Sequence, residues 1–420
     1  MIELKKYKFS DLYDMSSGIT STKEQAGHGQ PFVSFSTVFN NYILPDELPD
    51  LMDTSEREQK IYSIKKGDIL ITRTSETLDE LAMSSVALKD YPKATYSGFV
   101  KRLRPKQKHI TYDKFMAFYL RSPYFRKIIQ NNTNMTLRAS FNEDIFSYIT
   151  ILLPPFDMQR HIGDAIYLLE KKISINRKLS DKLEKQVQML FDYWFVQFQY
   201  PIKYDRRELI WDKQLQREIP IDWEVVEFQN LCRVRRGASP RPIDEYMDES
   251  GKGIPWIKIS DASNAETPYL IYIKEHIIPD GKAKSVFVMP DTLIVSNSAT
   301  PGIPKFVEID ACVHDGWLII DEYEENLRYY LYYIIKMVRK TLLNIASGSV
   351  FKNLKTDYLK EFKCIKPSDK VLDAFYEKVH PIMKKILINE KEIIELKKLR
   401  DTIFPLLMNG QVVLGNDLEE

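Results

Sequence analysis

The strongest constraint on this chain is that part of it is written twice. Residues 152–195 read LLPPFDMQRHIGDAIYLLEKKISINRKLSDKLEKQVQMLFDYWF. A shift of 213 positions, carrying Pro154 onto Pro367, lays this without a gap on IKPSDKVLDAFYEKVHPIMKKILINEKEIIELKKLRDTIFPLL. In that register Lys171-Lys172-Ile173 meets Lys384-Lys385-Ile386, Ile175-Asn176 meets Ile388-Asn389, Leu183 meets Leu396 and Phe191 meets Phe404. The regions in front repeat more loosely, as units do when their loops differ in length. Pro31-Phe-Val-Ser-Phe-Ser36 resembles Pro255-Trp-Ile-Lys-Ile-Ser260, and Lys66-Gly-Asp-Ile-Leu-Ile-Thr72 resembles Pro290-Asp-Thr-Leu-Ile-Val-Ser296. Ser97-Gly-Phe-Val resembles Asp315-Gly-Trp-Leu, and Gly18 and Gly237 stand at corresponding early turns. The predicted order is variable domain, similar helix, variable domain, similar helix.

Each repeated segment carries a heptad. Ile166, Ile173 and Val187 share one core position and Leu169, Leu183 and Leu190 the other; Val379, Ile386 and Ile393 alternate with Ile382, Leu396 and Ile403. Pro154-Pro155 and Pro367 suit helices that start just afterwards, with Asp157 or Ser368-Asp369 as caps, while Pro381 predicts a kink or a delayed start. Helices of roughly 35–40 residues would be about 50–60 Å long, and equal lengths at equivalent places predict antiparallel pairing. Both frames put an asparagine, Asn176 and Asn389, at the same core position. Either each is half-exposed, or the two meet or flank one another in the spacer and fix its register. The aromatic end Phe191-Asp-Tyr-Trp194-Phe195 is either buried in its own chain or docks a partner through Phe191, Trp194 and Phe195.

Composition narrows the function classes. A net charge of +1 over 420 residues excludes a uniformly basic chain, so any nucleic-acid binding must come from local patches. Three scattered cysteines suggest neither disulfide framework nor zinc site. The N-terminus MIELKKYKFSDLYDM lacks a signal-peptide core, and no long uncharged apolar run occurs, so a cytoplasmic, non-membrane protein is expected. The string Leu153-Pro154-Pro155-Phe156 has leucine where an adenine methyltransferase loop needs a polar acceptor, and no Gly-rich cofactor loop precedes it. There is no GxxxxGK[ST] loop, and the six histidines have no metal-ligand spacing.

At this point the segments can be placed. Leu153-Pro-Pro155, Gln159, the heptad helix, Ile175-Asn176-Arg-Lys-Leu179 and the FxxWF ending resemble the central conserved region of type I restriction–modification specificity (S) subunits. Leu399-Arg-Asp-Thr-Ile-Phe-Pro-Leu-Leu407 with Asn409-Gly410 is similar to the distal conserved region. Ile254-Pro-Trp-Ile-Lys-Ile-Ser-Asp261 and Gly67-Asp-Ile-Leu-Ile-Thr-Arg-Thr-Ser-Glu76 resemble parts of the target recognition domains.

The fold this implies is α+β: two target recognition domains of mixed α/β structure with small twisted sheets, separated by two long antiparallel coiled-coil-like helices in a pseudo-twofold repeat. Expected boundaries are 1–152 for the first domain, 153–199 for the central helix and 200–366 for the second domain, with 200–222 as linker. The distal helix takes 367–410 and a tail 411–420. The resemblance further implies a non-catalytic subunit reading a split, asymmetric site on double-stranded DNA. It would hold two methyltransferase subunits, with two restriction/motor subunits completing the enzyme. S-adenosylmethionine, ATP and magnesium would be used by those partners and not by this chain. The alternative is a fused methyltransferase or nuclease carrying its own recognition domain.

For DNA contacts, two basic clusters stand out: Lys101-Arg102-Leu-Arg104 and Arg235-Arg236 with Arg241. Candidates for base contact are Arg73, Thr74 and Ser75 in the first domain, Lys258, Asn297 and Lys305 in the second, and Arg138.

Overall fold

The computed structural model describes residues 4–133, 139–204, 206–347, 354 and 356–408. The chain forms two compact units: one takes the residues up to Ile173 together with the stretch from Glu395, the other the continuous stretch Ser174–Ile394.

In the first unit a four-stranded antiparallel sheet runs in the order Tyr13–Ser17, Val100–Pro105, Ile69–Thr72, Ser84–Val86. Ile69–Thr72 reads ILIT and all four side chains are buried, as expected of a β-branched run covered on both faces. Beside this sheet Ala26–Val33 pairs in parallel with Thr95–Tyr96, and a short helix, Phe35–Asn40, follows. The core gathers Phe9, Tyr13, Leu103, Phe115, Phe118, Phe125 and Ile151.

The second unit repeats this plan. Its sheet runs Arg233–Arg236, Trp317–Asp321, Thr292–Ser296, Pro304–Val307, Tyr269–Leu270, and Ile254–Ile257 pairs in parallel with Ala311–Val313 before the helix Ile259–Asn264. The correspondence extends to single backbone groups. Gly67 (φ +88°) and Asp291 (φ +72°) take the same left-handed turn before the central strand, a conformation glycine adopts freely and aspartate tolerates. Their amides donate to equivalent carbonyls, Ala87 and Val307, each at 2.8 Å. At Gly18 and Gly237 a Cβ would overlap a carbonyl oxygen, of Ser97 in one unit and His314 in the other, so both turns need glycine.

One expected match shifts. Thr72 pairs with Val100 and Ser296 with Trp317, and the amides of Arg73 and Asn297 donate to the carbonyls of Phe99 and Gly316, both at 2.8 Å. Gly316 therefore corresponds to Phe99, not to Gly98. Hydrogen-bond register decides this, and the fully buried pair Val100 and Trp317 agrees with it.

The repeated segments are helices Phe156–Phe191 and Asp369–Met408, whose starts are again 213 positions apart. Asp157 and Asp369 sit in the first turns, where their charge favours the helix dipole. Gln159, 1% exposed, ties the first start down: its Oε1 accepts from the Tyr112 amide, and its Nε2 donates to the carbonyls of Ile110 and Pro154. The helical pattern runs through Pro381 without interruption, so that proline neither delays nor breaks the second helix.

Ile166, Ile173, Val187, Val379, Ile386 and Ile393 are buried, each of a kind whose truncation to alanine costs roughly 2–5 kcal/mol; their heptad partners are half-buried. Within the second unit residue 176 meets 392 and 180 meets 389, so the helices there are antiparallel. Within the first unit Glu170 pairs with Arg400, and Ile162 and Ile166 share a core with Leu407.

The asparagines take the second of their two readings, and two other expectations change. The asparagines do not bond each other: Asn176 Nδ2 donates to Glu392 at 2.8 Å and Asn389 Nδ2 to the Ser180 hydroxyl at 3.2 Å. They flank one another, each finding its partner on the facing helix. Residues 200–222 are not a simple linker, because Leu209–Asp212 and Arg217–Pro220 form a hairpin and Tyr200 and Ile219 are core residues. Finally Phe191, Trp194 and Phe195, expected as a partner interface, are 1–6% exposed and pack on Tyr330, Tyr333 and Phe375. Side chains so enclosed cannot anchor a partner. The same turn leaves Met189 and Tyr193 outside instead.

Candidate nucleic-acid interface

At one end of the second unit's sheet, four loops converge on His314-Asp315. The edge strand Arg233–Arg236 delivers one arginine to it and the loop that follows delivers a second. Arg236 Nε donates to the Asp315 carbonyl at 2.8 Å, and Arg241 Nη2, on a side chain 81% exposed, lies 3.5 Å from the Asp315 carboxylate. The Ser239 hydroxyl donates to the same carboxylate at 2.6 Å and, above all other causes, holds it below the usual carboxylate range. Asn297 is pinned beside it, its amide on Gly316 and its Nδ2 toward the Asp315 carbonyl at 3.5 Å. Burial keeps His314 below the ordinary histidine range, so near neutral pH its 3.7 Å approach to Asp315 is not an ion pair; Nδ1 accepts from the Gly316 amide at 2.7 Å.

Arg241, Lys258, Ser260, Trp256 and His314 line an open cleft of about 850 Å³ next to this cluster. Lys258 pairs with Glu275 at its rim. Cations held loosely by carboxylates at a loop end can exchange those partners for phosphates, whereas Asn297, 4% exposed, keeps its amide inside the loop cluster.

The structure thus brings Arg236, Arg241, Lys258 and Asn297 together. It does not bring Arg235 or Lys305. Arg235, one residue along the edge strand and on the opposite face, shares Asp321 with Arg233 at 2.7 and 2.8 Å. Lys305, 6% exposed, donates to the carbonyls of Ala265 and Thr267, and burial pushes it down to about 8.

In the first unit the corresponding sheet end carries Arg73, Thr74 and Ser75. Arg73 is exposed; its amide binds the Phe99 carbonyl and its own carbonyl accepts from Phe141 at 2.7 Å. Thr74-Ser75 pairs with Ala139-Ser140. The basic cluster behind them points inward. Lys101, 7% exposed, donates to the Ser17 hydroxyl at 2.8 Å, and burial, then Arg73, lower its pKa. Arg102 donates to the Ser63 carbonyl at 2.6 Å, and Arg104 forms a two-point bond to the fully buried Asp68 at 2.8 and 2.6 Å. These cations serve the fold. Arg138 lies outside the described residues. Sequence reading missed Ser239 and Asp315 as site residues, although Asp315-Gly316 was visible as a repeated turn.

The type I restriction modification DNA specificity domain family matches the chain twice, over residues 1–185 and 220–398. The chain belongs to this family. The MjaIX specificity subunit of Methanocaldococcus jannaschii is 23% identical over 421 aligned residues, covering 96% of this chain and 92% of that protein. The HindI specificity subunit of Haemophilus influenzae is 22% identical, with 91% and 94% covered. Among solved structures, the S subunit of a type I restriction–modification system from M. genitalium superposes with a TM-score of 0.61 at 15% identity, covering 97% of this chain and 96% of that one, so the fold is shared. This chain is therefore a DNA-specificity subunit of mixed α/β units and long antiparallel helices, a recognition component and not a catalyst. Among the described residues no group of three or more His, Cys, Asp or Glu could hold a metal, and no helix is long and apolar enough to cross a membrane.

Proposed function

We propose that this specificity subunit reads a two-part, asymmetric site on double-stranded DNA, each unit taking one half. The observation that carries the reading is a scaffold built twice and decorated differently. The same glycine turn, central strand and loop present Ser17, Arg73 and Phe99 in one unit and Arg236, Asn297 and Gly316 in the other. Identical backbones with unlike side chains suit two unlike half-sites. Arg236, Arg241 and Lys258 supply phosphate contacts; Arg73 and Thr74 face base edges, while Ser75 and Asn297, both buried, position the loops that carry the exposed groups. The recognition surfaces lie within residues 1–152 and 200–366, and the paired helices, their register held by Asn176 and Asn389, are the spacer.

Two methyltransferase subunits assemble on this chain and two restriction subunits complete the enzyme; S-adenosylmethionine, ATP and magnesium are used by those partners. The test is methylome sequencing of cells carrying the chain with its methyltransferase subunit. The expected result is one split motif with a modified adenine in each half. A single unbroken motif, or sequence-specific methylation by the purified chain alone, would sink the reading.

A further inference from the structure

Phe99 and its counterpart at the other sheet end differ sharply. Phe99 is 63% exposed where the second unit has Gly316. A single exposed phenylalanine needs no explanation when it rides on a free loop. This one is fixed on every side. Its amide donates to the Ser97 hydroxyl at 3.2 Å, its carbonyl accepts from Arg73 at 2.8 Å, and the preceding Gly98 amide donates to the Ile19 carbonyl at 2.7 Å. The neighbouring Val100 is fully buried in the central strand, which anchors the turn. Water therefore meets a ring whose backbone is held as firmly as a core residue's. Exposed Arg73 stands beside it, at the place where the second unit sets Asn297 among its arginines.

Resting on the DNA-reading function above, we infer that Phe99 is a specificity-determining residue of the first unit, making an apolar contact with the 5-methyl group of a thymine in its half-site. The chemistry fits the setting: a methyl group is the one apolar feature of the major-groove edge, and phenylalanine meets it without needing a hydrogen bond. Arg73 would hold the adjacent polar edge or phosphate. The second unit, with glycine here, presents no ring at this place and meets its half through Arg236, Arg241 and Lys258.

The test uses the full chain assembled with its methyltransferase subunits, on the duplex identified by methylome sequencing. Each thymine of both halves is replaced in turn by deoxyuridine, which lacks only the methyl group. The unsubstituted protein should lose about tenfold in affinity at one position. Phe99→Ala should bind the cognate duplex about tenfold more weakly and show no further loss at that position. Phe99→Leu should recover part of both, and binding to non-specific duplex should be unchanged throughout. Because Phe99 is exposed, the alanine variant should keep the parent's melting temperature. Full cognate affinity in Phe99→Ala, loss shared equally by cognate and non-specific duplexes, or a target whose deoxyuridine scan is flat would each overturn the assignment. The Arg241→Ala variant separates the two levels. If it weakens binding while Phe99→Ala does not, only the role of Phe99 fails; if the unsubstituted protein prefers no duplex, the DNA reading fails and takes Phe99 with it.

Discussion

Each unit carries three basic residues along one strand of its sheet, yet the two units use them differently. In the first unit Lys101, Arg102 and Arg104 lie on Val100–Pro105, which has a neighbour on each side. In the second unit Arg233, Arg235 and Arg236 lie on Arg233–Arg236, the edge strand one place over. Side chains stand above and below a sheet, so what covers each face decides their fate: Lys101, Arg102 and Arg104 are taken up by Ser17, Ser63 and Asp68, Arg233 and Arg235 by Asp321, while Arg236 and Arg241 stay in contact with water. Local cover, not charge density, decides whether a basic run is structural or available to a phosphate.

The comparison can be broken most readily at Arg104. Its removal leaves Asp68, fully buried, without its guanidinium, and Arg104→Ala should cost about 3 kcal/mol of stability in the first unit, read as a lower denaturant midpoint. If the variant is as stable as the parent, the inward role is wrong. Next in size is Lys305, on another central strand, Pro304–Val307. Its folded-state pKa of about 8 lies below the ordinary lysine value near 10.5. At this side chain the unfolded chain therefore binds more protons between those values, so its contribution to stability grows as pH rises from about 8 to 10.5, against the opposite pull of the buried Cys232 and Cys364 thiols, which burial pushes up to about 12. Lys305→Met should remove that contribution from the slope of melting temperature against pH; an unchanged slope would contradict it. The smallest effect belongs to the edge. Arg236→Ala with Arg241→Ala should leave the melting temperature within a degree or two, while lowering the log–log salt slope of DNA binding by about 0.9 for each lost phosphate contact. An unaltered slope would move the interface elsewhere.

The sequence carried the parts of this fold that are governed by local rules. Helix starts followed the prolines, the left-handed turn showed itself as Gly67 against Asp291, and the tight turn as Gly18 against Gly237. Register was less accessible, because Gly98 and Gly316 align by letter while hydrogen bonds set Phe99 against Gly316. The orientation of charged side chains was hidden altogether: KRLR and RVRR look alike until their strands have neighbours. The aromatic run at 191–195 left two readings open for a related reason. Large rings anchor cores and partners equally well, and only the opposing Tyr330, Tyr333 and Phe375, over 130 residues away in the chain, settle which.

The division of the long helices between the units has a bearing on how the protein comes into being. Everything the second unit needs has been translated once Ile394 is added. The first unit, begun at the N-terminus, waits for the last described turns, where Ile403, Phe404, Leu407 and Met408 fill gaps in a core otherwise finished by Ile166. The portion translated first is thus the portion completed last, and a chain that stops short by a dozen residues before Met408 would leave an open hydrophobic seam in its earliest-made half.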